Sequence, residues 1–349
     1  MRHRRGWSKT TSILLIISAH LALVVVTPVS AAPTHNEPDG GPAIQANTDA
    51  GLSGGRAYDV TGDNWPDLVT RNRASGVLQV HPHSGLVSGT STFLPGVQVG
   101  TGWQVHNWIG VGNFTDSVAK DGTEQDEREV YLGDLIARRA SDGALLLYQH
   151  SGTFNGTSTW LPPVVVATGW GTVRRIWVAD ADLDGFDDLI AMDSQFTVWV
   201  YPNSRFLNGA GTFTARIKVS ASVAGPSSDV RAYHFFAPWY QDAPDFISAL
   251  PGSGGTVYYM PNSHGPVNES TWARWNGSGA RVVSYDAVVS SATVTLADVT
   301  GNGSEDLVTS LYNGELWLHP VRAPRLGQTA GVDARVFLGS GWDVYDVIT

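Results

Sequence analysis

The chain has 349 residues, 42% of them hydrophobic and 15% charged, with 39 Gly, 18 Pro and 13 Trp. This composition disfavours long surface helices and points to many short strands and turns around an ample core. With no cysteine there are no disulfides and no thiol chemistry, and a net charge of −10 argues against nucleic acid or an anionic membrane as partner.

The first element is an export signal, expected over residues 1–31 and placing the protein outside the cell. Arg2, Arg4, Arg5 and Lys9 form a basic start, Ile13 to Val26 an apolar stretch, and Val29-Ser30-Ala31 a small-residue cleavage site. Ser18 and His20 interrupt the stretch, which falls short of the roughly 20 apolar residues of a membrane span. Arg4-Arg5 keeps a twin-arginine route open beside the general one. Removing the signal leaves 18 basic against 32 acidic residues. Residues 32–52, rich in Pro, Asn, Asp and Gly, read as a disordered leader.

From residue 53 onward the sequence repeats itself. Three segments align without gaps, running from Asp59 to Asp67, Asp180 to Asp188 and Asp298 to Asp306, each followed by Leu-Val or Leu-Ile. Two degenerate copies close at Asp134 and Asp245. Between Asn113 and Asp134 the second copy carries a charged insertion of 13 residues, around Ala119 to Val130. Each closing aspartate leads into strand patterns such as Val198 to Tyr201 and Leu316 to His319, and Gly-Trp pairs recur at Trp103, Trp170 and Trp342. About four strands per repeat, with no helical period, predict an all-β fold: a β-propeller over 53–349 with five four-stranded blades. Only Arg56 to Tyr58 precede the first turn, and seven residues follow Trp342. The C-terminal strand is therefore expected to complete the first repeat and close the ring.

The turns place side-chain oxygens at relative positions 0, 2, 4 and 8, with Asn or Gly at position 5 for a left-handed bend. The expected ligands are Asp59, Thr61, Asp63 and Asp67; Asp180, Asp182, Asp184 and Asp188; and Asp298, Thr300, Asn302 and Asp306. Gathered carboxylates repel one another unless a cation offsets them, and an all-oxygen set suits a hard ion such as Ca2+, at about three sites. The competing reading is that Asp, Asn and Gly simply populate metal-free turns. The second turn, with Asn113, Thr115, Asp116 and Asp134, stays open, and the fourth, with Ala237, Trp239 and Gln241, is expected to bind no ion.

These blocks resemble FG-GAP/VCBS repeats, as in integrin α-subunit propellers and the Psathyrella-type lectin propeller, over roughly residues 56–349. The resemblance implies calcium in each matching turn. It departs from this chain in blade number, since such propellers commonly have seven.

No catalytic residue is identified. Gly51-Leu-Ser53-Gly-Gly55 matches a nucleophile-elbow string but precedes a strand, not a helix. His81, His83, His150 and His319 fall at equivalent strand ends and read as packing residues. A binding module is expected, with carbohydrate the favoured partner. Trp199, Tyr259 and Trp317, in one aligned column, are candidates to stack on sugar rings, or else to pack between blades. The alternatives are an extracellular protein-interaction scaffold, with the 119–130 insertion as contact element, and a secreted hydrolase or lyase acting on polysaccharide.

Overall fold

Four closing aspartates head strands buried along most of their length: Leu68 to Thr70, Leu135 to Ala137, Leu189 to Met192 and Leu307 to Ser310. A strand covered on both faces reads as a continuous apolar run, which is why Leu-Val and Leu-Ile follow the aspartate. The next strand alternates buried and half-buried residues, as at Val198 to Tyr201. Burying Leu189 and Ile190 fully contributes about 1.5–3 kcal/mol each.

The computed structural model of the chain describes residues 58–118, 130–195, 197–220, 291–303, 305–322 and 331–349, together with the backbone of four strands within 232–284. All of them lie in the unit Pro42–Thr349. The signal, the leader, the Gly51 to Gly55 string, Ala237, Trp239, Gln241 and the core of the 119–130 insertion fall outside the described residues.

The chain is all-β. In chain order come β1 (Leu68–Asn72), β2 (Leu78–His81) and β3 (Val97–Gly100), then β4 (His106–Gly112), β5 (Asp134–Arg139), β6 (Leu145–Tyr148) and β7 (Val164–Ala167). β8 (Arg175–Ala179), β9 (Asp188–Met192), β10 (Val198–Tyr201) and β11 (Ile217–Ser220) follow. Next are β12 (Ala232–Phe236), β13 (Asp245–Ala249), β14 (Thr256–Met260) and β15 (Arg281–Ser284). The last are β16 (Ser291–Ala297), β17 (Asp306–Leu311), β18 (Leu316–His319), the short pair β19 (Val321–Arg322) and β20 (Gly331–Val332), β21 (Val336–Gly339) and β22 (Tyr345–Ile348).

Antiparallel sheets form in the orders β22-β1-β2-β3, β4-β5-β6-β7, β8-β9-β10-β11, β12-β13-β14-β15 and β16-β17-β18-β21. The last strand therefore completes the sheet of the first repeat, with Thr70 opposite Ile348. Neighbouring sheets meet through repeated contacts. Trp103 lies 4.9 Å from Tyr148, Trp170 lies 4.6 Å from Tyr201, and Trp342 lies 4.8 Å from His81, centroid to centroid. β4, β8, β16 and β22 all face one cavity of about 280 Å³. This is a β-propeller arrangement: among the described residues it has four blades with side-chain packing, not the expected five, and no closed ring. For β12–β15 only the strand pairings are described.

Candidate functional site

In the first turn the Asp59 carboxylate accepts hydrogen bonds from the backbone N–H groups of Gly62, Asp63 and Asn64, at 2.7, 3.3 and 2.7 Å. Asp180 accepts from Asp184 and Gly185, and Asp298 from Asn302 and Gly303, in the same geometry. This wrapping requires a left-handed bend at position 5, and Asn64 (φ 67°), Gly185 (φ 90°) and Gly303 (φ 83°) supply it as the sequence predicts. A second left-handed residue at position 3 was not expected: Gly62, Leu183 and Gly301, with Asp116 in the second turn. Glycine at positions 62 and 301 was the available signal; Leu183 hides it.

The closing aspartates clamp two segments at once. One oxygen of Asp67 accepts from Val60 N–H and Thr61 N–H, while the other takes His83 N–H from beyond β2. Asp188 bridges Ala181 N–H and Asn203 N–H, and Asp306 bridges Thr300 N–H and Val321 N–H. Asp134 does the same with Phe114 N–H and His150 N–H, and also accepts from the hydroxyls of Thr115 and Ser117 at 2.8 and 3.2 Å.

Burial pushes the carboxyls of Asp67, Asp188 and Asp306 up to about 8, against hydrogen bonds that lower them, and Coulomb repulsion from a neighbouring aspartate of the same turn adds to the rise. Burial raises Asp134 only to about 6, because its backbone and hydroxyl donors favour the charged form. Burial likewise lifts Asp59 and Asp298 to about 6 and raises Asp180 and Asp182.

Asp180, Asp182 and Asp188 each offer a carboxylate oxygen within 4.8 Å of the others, a group able to hold a metal ion. At position 2 the side-chain oxygens Thr61 Oγ1, Asp182 Oδ1 and Thr300 Oγ1 are buried and make no hydrogen bond. The hydroxyls of Thr61 and Thr300 lie beside the Asp63 and Asp306 carboxylates and favour their charged forms, but outside hydrogen-bond geometry. Thr300 is 3% exposed, so its unpartnered oxygen costs stability unless a ligand meets it. The all-oxygen donor set and these orphaned atoms fit a hard cation.

Position 4 does not join the cluster. Asp63 Oδ1 accepts Trp65 N–H, Asp184 bonds Phe186 N–H and the Arg205 guanidinium, and Asn302 donates to Val321 O. Those three expected ligands are turned to other partners: Asp63 and Asp184 each close a small turn with the N–H two residues on, and Asn302 reaches a carbonyl 19 positions away.

Trp199 and Trp317 share an environment. Trp199 Nε1 donates to Asp193 and its ring lies 3.9 Å under the Arg216 guanidinium. Trp317 Nε1 donates to Glu315 and its ring lies 3.9 Å under Arg335. The column is opposite Ala191 and Thr309, three residues past the closing aspartate. In the degenerate repeat that register position, Ser248, faces Tyr258, so Tyr259 stands one residue out of the column. His81 and His319 meet the hydroxyls of Thr70 and Thr309, and burial lowers both to about 4, so they are neutral packing groups. No family model matches this chain, and no curated protein does either.

Proposed function

We propose that the chain is a secreted, calcium-stabilised β-propeller of the FG-GAP/VCBS type, serving as a binding module for carbohydrate. Orphaned, buried oxygens at position 2 of three aligned turns carry the calcium reading, together with the acidic group of Asp180, Asp182 and Asp188. An affinity on the order of 0.1–1 mM suffices for an extracellular module. The Trp342–His81 contact repeats between the last and first sheets what Trp103–Tyr148 and Trp170–Tyr201 do elsewhere.

The carbohydrate reading draws on two sets in which a half-buried Trp and carboxylate meet an exposed Arg, Trp199 with Arg216 and Asp193, and Trp317 with Arg335 and Glu315. An aromatic ring beside charged hydrogen-bonding groups combines a stacking surface with partners for sugar hydroxyls. The tested form is a glycan array in millimolar calcium with the native chain and Trp199→Ala/Trp317→Ala. Binding lost in the double variant is expected; no binding by the native chain removes the carbohydrate assignment.

A further inference from the structure

Arg205 carries a side chain at a left-handed position where its counterparts are glycine. It sits in the left-handed region at φ 65°, where the aligned residues of the first two blades are Gly85 (φ 78°) and Gly152 (φ 85°). An L side chain is strained there, so its conformation requires compensation from its contacts. The guanidinium provides it: Nε donates to Asp184 Oδ2 at 2.6 Å, and the group lies 6.0 Å from the Phe186 ring centroid. Its positive charge also acts on Asp182 and Asp180.

The fourth carboxylate of the most acidic turn is thus already neutralised by a cation of the chain itself, brought from the loop after β10. Asp63, at the same position of the first turn, makes no ion pair among the described residues, and the fifth turn has the neutral Asn302 there. A divalent ion at Asp180, Asp182 and Asp188 would face the guanidinium's like charge at short range, and the two compete for Asp184.

We propose that Arg205 is a built-in competitor for the cation of the third turn: it holds Asp184 away from the acidic cluster and weakens that site relative to one with glycine at position 205. The inference rests on the reading of these turns as calcium sites. It makes the turn richest in carboxylate self-limiting in affinity.

Calcium titration calorimetry on the full chain, on Arg205→Gly and on Arg205→Gly/Asp182→Ala tests this. Glycine keeps the left-handed bend, as at Gly85 and Gly152, and a melt in chelator checks that each variant is folded. The expected result is that Arg205→Gly tightens one site about tenfold, equivalent to about 1.4 kcal/mol, and that the added Asp182→Ala abolishes that gain. Calcium bound by the native chain and by Arg205→Gly with the same or weaker affinity in the variant overturns the competition alone. Failure of both proteins to take up calcium at millimolar concentration overturns the competition and the calcium reading together.

Discussion

Asp134 of the second turn and Asp188 of the third head equivalent strands and clamp the same two backbone positions, yet their surroundings diverge. Around Asp134 the chain places two hydroxyls, Thr115 and Ser117, and its carboxyl rises only to about 6. Around Asp188 it places Asp180 and Asp182, leaves Asp182 Oδ1 without a hydrogen bond, and the carboxyl rises to about 8. The second turn satisfies its buried charge with its own dipoles. In the third, the charges exceed the hydrogen bonds around them, and on the proposed reading an external cation would complete the balance.

Removing each clamp separates the two cases most sharply. Asp134→Ala strands buried N–H groups of Phe114 and His150 and is expected to cost about 2–5 kcal/mol, equally with calcium or chelator present. Asp188→Ala should cost a similar amount in chelator and more in calcium, read by denaturant unfolding. Equal losses for Asp188→Ala in both conditions would place the third turn with the second.

A smaller and more selective effect attaches to the hydroxyls. Thr115→Val deletes a bond to Asp134 and should cost about 1 kcal/mol whatever the metal. Thr300→Val deletes an oxygen that has no hydrogen bond, so in chelator it should be neutral or stabilising. In calcium it should lower the melting temperature, and a loss of the same size in chelator would contradict the ligand role.

A further contrast lies in pH dependence. Asp67, Asp188 and Asp306 have folded values raised to about 8, so without metal the folded state holds protons that the unfolded chain has released. Stability in chelator should therefore fall as pH rises toward 8. The buried histidines His81, His83 and His319, lowered to about 4, act oppositely but only below their unfolded value near 6.5. Between pH 6.5 and 8 the aspartates act without that opposition. Calcium, on the proposed reading a ligand of the ionised carboxylates, should flatten or reverse the slope, and melting curves at both ends of this window decide it.

The repeats made the closing aspartates, the left-handed bend at position 5 and the pairing of the last strand with the first legible in advance. What escaped depended on residues distant in sequence or on a single-residue register. Arg205 reaches Asp184 from 21 positions away, and Arg216 and Arg335 cover the tryptophans from neighbouring strand edges. Alternate spacing suggested that position 4 would converge with the other acids, but short-range N–H donors and Arg205 take it first. Tyr258 and Tyr259 are adjacent and identical in type, and only the β13–β14 register shows that Tyr258 stands in the column.

Metal content and thermal stability of the same purified sample test the central claim directly. The account predicts roughly three equivalents of calcium per chain and a melting temperature that falls by several degrees in excess chelator and returns when calcium is restored. Superimposable melts with and without chelator, from a sample containing no calcium, would contradict it.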